Sequence, residues 1–509
     1  MSRINTNVQS LIAQRVLGMN NKALSTSLER LSTGLRINRG KDDPAGLIAS
    51  EVLRSEIKAI GAAIGNAERA DQVVNIAEGG LGEISNLLTE LQGLVTSSAN
   101  SAGLSKEEKE ANQLQIDSIL QTIDRISSAT SFQGQKLLNG NFDYQVSGVA
   151  AGVTDFRING AKFESGSLTV NVLVTQSAQQ AGLFLSMGGT SIDLSAGTSF
   201  TIEVTGSLGS RELTFTSGTT LVEIAGAINT FKEVTGVEAT ASAAATGLTM
   251  ISSSFGTDEF VTVKIVDSGA IGSANSIGIY TFTDDDFTTV LASSLQAFDA
   301  SASQQGVRDK GQDLGATING ISATATGKTA RINTDFLDVQ LTLGTSAAQT
   351  LGAVAAGGAF TITGGGADFQ LASKVDIAGK VSIGIFDVAT RKLGTSDLGF
   401  LDDLASGKQF NVVSASNLTG AQKVITEAIN QISSLRGRLG AFQSNTIGAT
   451  IRSLGVTLEN VVAAESTIRD ADFAKETAGL TRNQILVAAS TNVLGLANQN
   501  PQTVLQLLG

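Results

Sequence analysis

Near the start of the chain, apolar positions recur in steps of four and three. Leu24, Leu28, Leu31 and Leu35 form a heptad seam, and Ile4, Val8 and Leu11 continue the spacing upstream in a slightly shifted register. A second pattern runs through Ile84, Leu87, Leu91 and Leu94 and predicts a helix over 47–98. So long a helix reads as part of a rod. A third helix opens at "SKEE", where Ser105 is placed to cap and Glu108 to reach back. Ile116, Ile119, Ile123 and Ile126 then mark its apolar stripe.

The end of the chain follows the same rule. Ile425, Ala428, Ile432, Leu435, Leu439 and Phe442 step by three and four, and so do Ile447, Ile451, Leu454, Leu458 and Val461. A last segment places Leu486, Ala489, Val493 and Leu496 on one face and runs into "PQTVLQLLG", with Val504 and Leu507. Gly437 and Gly440 interrupt the first of these seams. Two readings stand: a helix able to adapt, or close helix packing.

Between about 146 and 413 the period changes to two. "SFTIEVTG" alternates Phe200, Ile202 and Val204; "RELTFTSG" alternates Leu213 and Phe215; "SLGS" joins them as a hairpin. "TTLVEIAGAINTF" reads as a short amphipathic helix, and "GVEATAS" returns to strand. The tripeptide "ING" at 158–160 and 318–320 points weakly to two related β units. The expected fold is mixed: a long α-helical coiled-coil or bundle rod built from both chain ends, with a β-rich outer region inserted in the middle. The two termini then lie together. The expected divisions are 1–40, 41–145, 146–413, 414–472 and 473–509.

The outermost helices, 1–34 and about 475–509, carry one apolar face each and little charge. Isolated helices of that kind are marginal in water. They are expected to order when neighbouring copies cover them; the alternative is docking on the rod of their own chain. Repeated head to tail without closure, such a surface builds a helical filament.

Composition narrows the chemistry. The 509 residues contain no His and no Cys, which removes Ser–His–Asp triads, Cys–His pairs and Cys/His zinc sites. Lack of Cys fits a reducing cytosol or an exterior protein that avoids mispairing. A net charge of −12 with no basic stripe argues against nucleic acid. No apolar run approaches a membrane span, and the N-terminus lacks a signal-peptide core. No cofactor, metal centre or catalysis is expected. "TDDDF" at 283–287 lacks the spacing of a calcium loop and reads as a solvated turn.

"LRINRGKDDPAG" at 35–46 holds the adjacent carboxylates Asp42 and Asp43. Neighbours on a helix diverge by about 100°, too far to share a proton. The segment reads as a joint instead. One helix ends near Asn38, Gly40 relieves the backbone, an Asp caps the next helix and Pro44 starts it; Arg39 and Gly46 complete the connector.

These residues carry a resemblance. "MSRINTNVQSLIAQRVLGMNNKALSTSLERLSTGLRINRGKDDPAGLIASEVLRSEIKAI", "SFQGQKLLNG" at 131–140 and "IRDADFAKETAGLTRNQILVAASTNVLGLANQNPQTVLQLLG" are similar to the two ends of bacterial flagellins. "TTLVEIAGAIN" resembles a small motif of the variable middle of some members. The resemblance implies a flagellar filament subunit, with the terminal helices in an inner tube (D0), the next helices in an outer tube (D1) and the middle exposed. A hook–filament junction protein, or an adhesin carried by the middle domains, are the alternatives. It also implies export through the flagellar type III apparatus without a cleaved signal, and an extracellular place in the flagellum. Implied partners are other copies, cap and hook-junction proteins, and a cytoplasmic chaperone on the C-terminal segment. Some flagellins are sensed by Toll-like receptor 5. Receptor-binding members carry an arginine where Glu90 aligns and a glutamate where Gln115 aligns, so recognition is expected to be weak.

Overall fold

The computed structural model describes residues 6–100, 103–163, 166–194, 198–242, 246–269, 271, 276–282, 289–414 and 417–508, as backbone alone from 500 onward. Seven helices matter here: α1 (Val8–Thr33), α2 (Pro44–Ser98), α3 (Lys106–Ala129), α4 (Leu221–Thr230), α5 (Leu418–Ala441), α6 (Gly448–Arg469) and α7 (Phe473–Leu508). The chain divides into two compact units. The first takes Met1–Gln72, Phe369–Lys380 and Gly440–Gly509; the second takes Val73–Asp368 and Val381–Leu439.

In the second unit, α2 buries Val74, Leu81, Leu88 and Val95, one every seven residues. Ile84 and Leu91 are buried between them, but Leu87 and Leu94 are only half-buried. The stripe centres one residue away from the spacing read along the sequence. Its centre is set by the neighbouring helices rather than by the densest leucines. From α3 come Ile116, Ile119, Leu120 and Ile123, and from α5 Ile425, Ala428, Ile432, Leu435 and Leu439. The capping box of α3 is complete: Ser105 N–H donates to Glu108 Oε2 at 2.7 Å and Glu108 N–H to Ser105 Oγ at 3.2 Å. Arg436 pairs with Glu78 at 2.8 Å. Two buried glutamines tie the helices to the chain around them. Gln113 donates to Leu404 O and accepts from Val412 N–H; Gln431 does the same with both groups of Gly394. No amide is left wanting, so the burial of these side chains is not a liability.

The middle of the chain builds two separate β cores, one nested in the other. The first gathers residues 144–178 and 314–362, with Val172, Val339, Leu341 and Phe360 at its centre. Its larger sheet orders Thr324–Thr326, Thr329–Asn333, Leu337–Leu343 and Val153–Ala161, all antiparallel. The second core lies within 181–307, centred on Phe200, Ile202, Val263 and Leu248. Its hairpin pairs Phe200 with Phe215 and Thr205 with Ser210, as the alternation predicts. α4 is capped by Thr220 and Glu223 and buries Leu221, Ile224, Ala225 and Ile228. Both "ING" tripeptides fall in the first core and do different work: Asn159 sits at a bulge, whereas Asn319 turns a corner with φ +49°. They mark no repeat. Between the cores, Asp313 accepts from Thr257 of a second-core loop and from Gly327 N–H of a first-core turn, the latter at 2.7 Å.

In the first unit, α2 continues the seven-residue repeat with Ile60 and Ala67. Along α5 and α6 the repeat runs Ile425, Ile432, Leu439, then Ile447, Leu454, Val461. The step from Leu439 to Ile447 is eight, and a π-turn over Phe442–Ile447 takes up the extra residue. There the Phe442 ring lies 6.0 Å from that of Phe369, and Gln443 donates to Asp71 at 2.9 Å. A Cβ added at Gly437 or Gly440 would meet nothing within 4 Å, so close packing is not the reason for either glycine. Leu454 and Leu458 are half-buried.

Candidate functional site

The first unit places the two chain ends side by side. α1 opens at Asn7, whose side chain accepts from Ser10 N–H at 3.0 Å and donates to Ala497 O at 2.7 Å. Further rungs follow: Ser10 with Asn498 at 2.7 Å, Asn20 with Ser490 at 2.6 Å, Ser27 with Asn483 at 3.1 Å, and Arg30 with Glu476 at 3.1 Å. As one number rises the other falls, so α1 and α7 run antiparallel. Within the single chain the two helices pack against each other along this seam.

Two columns of residues face this seam. On α1, Leu17, Leu24 and Leu31 alternate with Ala13, Asn20 and Ser27; on α7, Leu480, Val487 and Leu494 alternate with Glu476, Asn483, Ser490 and Ala497. Each column repeats every seven residues, and in each helix one is mostly polar. The large apolar residues are largely elsewhere. Val8 (53% exposed), Leu11 (59%) and Leu28 (49%) point away from the seam, as do Val16 and Met19. On α7, Leu486 (38%), Val493 (55%) and Leu496 (64%) do the same, and Ala489 is exposed. Of the residues expected on these helices, Leu24 and Leu31 lie in the seam. Ile4 and the side chains of Val504 and Leu507 lie outside the described residues. The sequence pattern did not single out Asn20, Ser27, Asn483 and Ser490. Their signal was a polar residue recurring at seven, which a search for apolar periodicity passes over.

The connector is built from backbone bonds. α1 stops at Thr33, because Gly34 adopts φ +72° and donates its N–H to Arg30 O. Leu35 is therefore beyond the helix, not part of its seam, and α1 ends five residues short of Asn38. Leu35 instead bridges Asp470, with Arg36 N–H on Arg469 O at 2.7 Å and Ala471 N–H on Gly34 O at 2.9 Å. The entry to α7 is thus stitched to the exit of α1. Ile37 is buried, at 1% exposure. Asp42 accepts from the N–H groups of Asn38 and Arg39, closing a turn, and Asp43 accepts from Gly46 N–H at 2.9 Å, capping α2 at Pro44. The two carboxylates are occupied by different backbone donors and share nothing. A Cβ at Gly46 would stand 2.4 Å from the Asp43 carboxylate and 2.7 Å from Ile37, so this glycine makes room for both. Gly40 needs no positive φ; the strained position is Gly34. Arg39 meets Glu29 at 2.9 Å in the open, a contact worth little.

Glu90 on α2 and Gln115 on α3 are exposed. "TDDDF" lies outside the described residues. Among the described residues, no group of three or more acidic side chains could hold a metal ion, and no helix is long and apolar enough to cross a membrane. The open surface of the terminal pair mixes large apolar side chains with polar and charged ones such as Arg15, Lys22 and Arg482.

The chain is similar to known proteins along its whole length. Residues 4–143 match the bacterial flagellin N-terminal helical region, 422–508 the C-terminal helical region, and 199–254 the flagellin hook IN motif. The B-type flagellin of Pseudomonas aeruginosa is 30% identical, a flagellin of Salmonella choleraesuis 29%, and flagellin B of Helicobacter pylori 28%; each alignment covers 99% of both chains.

Proposed function

Since this chain belongs to the flagellin family and is a structural subunit of the bacterial flagellar filament, we propose that it assembles through the outward apolar faces of α1 and α7. The observation that carries this is the exposure of Val8, Leu11, Leu28, Val493 and Leu496 on helices whose mutual seam is half polar. A monomer gains nothing from such an arrangement. Neighbouring copies that cover these residues remove them from water, at about 25 cal/mol per Å² of apolar area.

The terminal pair then forms the inner tube, and α2, α3, α5 and α6 the outer one. The β cores form the exposed exterior. The first unit's division at residue 72 of α2 cuts later than the inner-tube limit near 40, so the inner tube is assigned to α1 and α7 alone. Export proceeds without a cleaved signal, a chaperone holds the C-terminal segment beforehand, and cap and hook-junction proteins meet the same terminal helices. Glu90 and Gln115 make recognition by Toll-like receptor 5 weak. A receptor-reporter assay at full flagellin potency would contradict that.

The test of the main reading is seeded polymerisation of the purified chain, followed by electron microscopy. Long filaments are expected, lost on removing 1–34 or 475–509 and kept on deleting about 150–410. A truncation of either terminal helix that still polymerised would refute the role of these faces. Short rings in place of filaments would favour a junction protein.

A further inference from the structure

We propose that the polar column of the terminal seam, Asn20 and Ser27 facing Ser490 and Asn483, is the register key of the α1–α7 pair. It sets the offset at which the outward apolar residues are presented to a neighbouring copy. The inference rests on the filament reading. Its ground is what the two columns can and cannot distinguish. Leu17, Leu24 and Leu31 against Leu480, Val487 and Leu494 repeat every seven residues on both sides. A slip of one heptad keeps Leu17 and Leu24 on apolar partners, now Val487 and Leu480, and sets Leu31 against Phe473; only Leu494, then facing Ser10, loses its partner. The polar column is not indifferent. In register, Asn20 donates to Ser490 at 2.6 Å and Asn483 to Ser27 at 3.1 Å, and Arg30 reaches Glu476. A slip of seven sets Ser490 opposite Ala13, which has nothing to offer it. It also sets Asn20 opposite Asn483 and Ser27 opposite Glu476, takes that carboxylate from Arg30, and breaks the backbone bonds that join Gly34 and Arg36 to Ala471 and Arg469. A polar residue in a heptad seam lowers stability and fixes register, because misaligned partners bury unsatisfied groups. Leucine at these four positions would bury more. Their polarity therefore serves alignment.

The full chain has no native Cys, so paired cysteines report the register directly. Ser10→Cys with Asn498→Cys spans a rung of 2.7 Å and reads the native register. Ser10→Cys with Thr491→Cys reads the pair slipped by one heptad. With the polar column intact, oxidation joins the first pair and leaves the second largely unjoined. Adding Asn20→Leu, Ser27→Ala, Asn483→Leu and Ser490→Ala should raise the slipped disulfide clearly above the parent's yield, while the backbone bonds of Arg36 and Ala471 at the joint still favour the native pair. Without the cysteines, the same four changes should slow elongation from parent seeds by about tenfold or more. Ser490→Thr keeps the hydroxyl and should elongate like the parent. If the fourfold variant fails to fold, Ser27→Ala with Asn483→Ala only removes atoms and should still raise the slipped yield above the parent's. In-register cross-linking alone, with parental elongation, overturns the proposal. A parent that never elongates from its own seeds refutes the filament reading instead, and leaves the cross-linking result standing.

Discussion

In the second unit, α2 repeats Val74, Leu81, Leu88 and Val95 every seven residues, none more than 2% exposed. The terminal pair is also written in sevens, but one of its columns reads Ala13, Asn20, Ser27. Its large residues, such as Leu11 and Leu496, stand outside at 59% and 64% exposure. The period is shared; which column turns inward is not. The bundle spends its hydrophobic surface within the chain. The terminal pair withholds it, and hydrogen bonds align what hydrophobic burial would otherwise hold. A heptad therefore announces a helix that pairs, and the composition of each column says whether the pairing is finished in the monomer.

The largest expected effect comes from a charge on the withheld face. Leu28→Asp adds a carboxylate where the monomer is open, so melting of the monomer should not move. Where neighbouring copies cover this face, as proposed, the same carboxylate is dry and unpaired, at a cost of several kcal/mol, and elongation should stop. Leu494→Asp differs, because Leu494 lies in the seam; it should reduce monomer helicity as well, read by circular dichroism. Equal monomer effects from the two would erase the distinction between seam and outward face.

The converse change is Leu88→Ala in the bundle. A fully buried leucine replaced in this way loses about 2–5 kcal/mol, transfer and cavity together. The monomer's unfolding midpoint in urea should fall accordingly. Seeded elongation should persist under conditions where the variant remains folded. Elongation lost with the fold intact would mean that the bundle, too, withholds contacts for its neighbours.

Smaller again is the joint between the two designs. Asp43→Ala removes the cap of α2 and should cost about 1 kcal/mol. Gly46→Ala should act in the same direction, since its methyl group displaces the Asp43 carboxylate. Asp42→Ala frees only the turn N–H groups and should cost less than either. An Asp42 effect exceeding that of Asp43 would reverse their roles.

Much of this fold was legible in the sequence, for identifiable reasons. The Ser105 capping box, the Phe200–Phe215 hairpin and the α5 stripe depend on neighbours within a few residues. So did the cap and proline at the start of α2. The stop of α1 was misread because the Leu24–Leu35 spacing continues across Gly34, where φ +72° ends the helix whatever the leucines prefer. The π-turn was present as a step of eight between Leu439 and Ile447, hidden by reading the two runs separately. Leu24 and Leu31 were readable in α1, but its polar inward column was not. It is chosen by α7, more than four hundred residues away, through Ser490 and Asn483.

The smallest effect separates the two regions by pH. The rungs Asn20–Ser490 and Ser27–Asn483 are amides and hydroxyls, with no charge to lose. The neck between the β cores relies on the Asp313 carboxylate. Burial works to raise its pKa, but hydrogen bonds from Thr257 and Gly327 outweigh this and hold it below the usual 3.8. A carboxylate depressed by folding stabilises the fold above its unfolded pKa, and that contribution disappears as pH falls through the folded value. The Asp313→Asn variant should therefore be less stable than the parent at neutral pH, and the gap should close at pH values below 3.8. Asp143, Asp155 and Asp309, raised by burial, titrate in both proteins and cancel from the difference. Denaturation of parent and variant across that range reads the gap. A gap that persisted in acid would assign the neck's strength to shape rather than to the charge on Asp313.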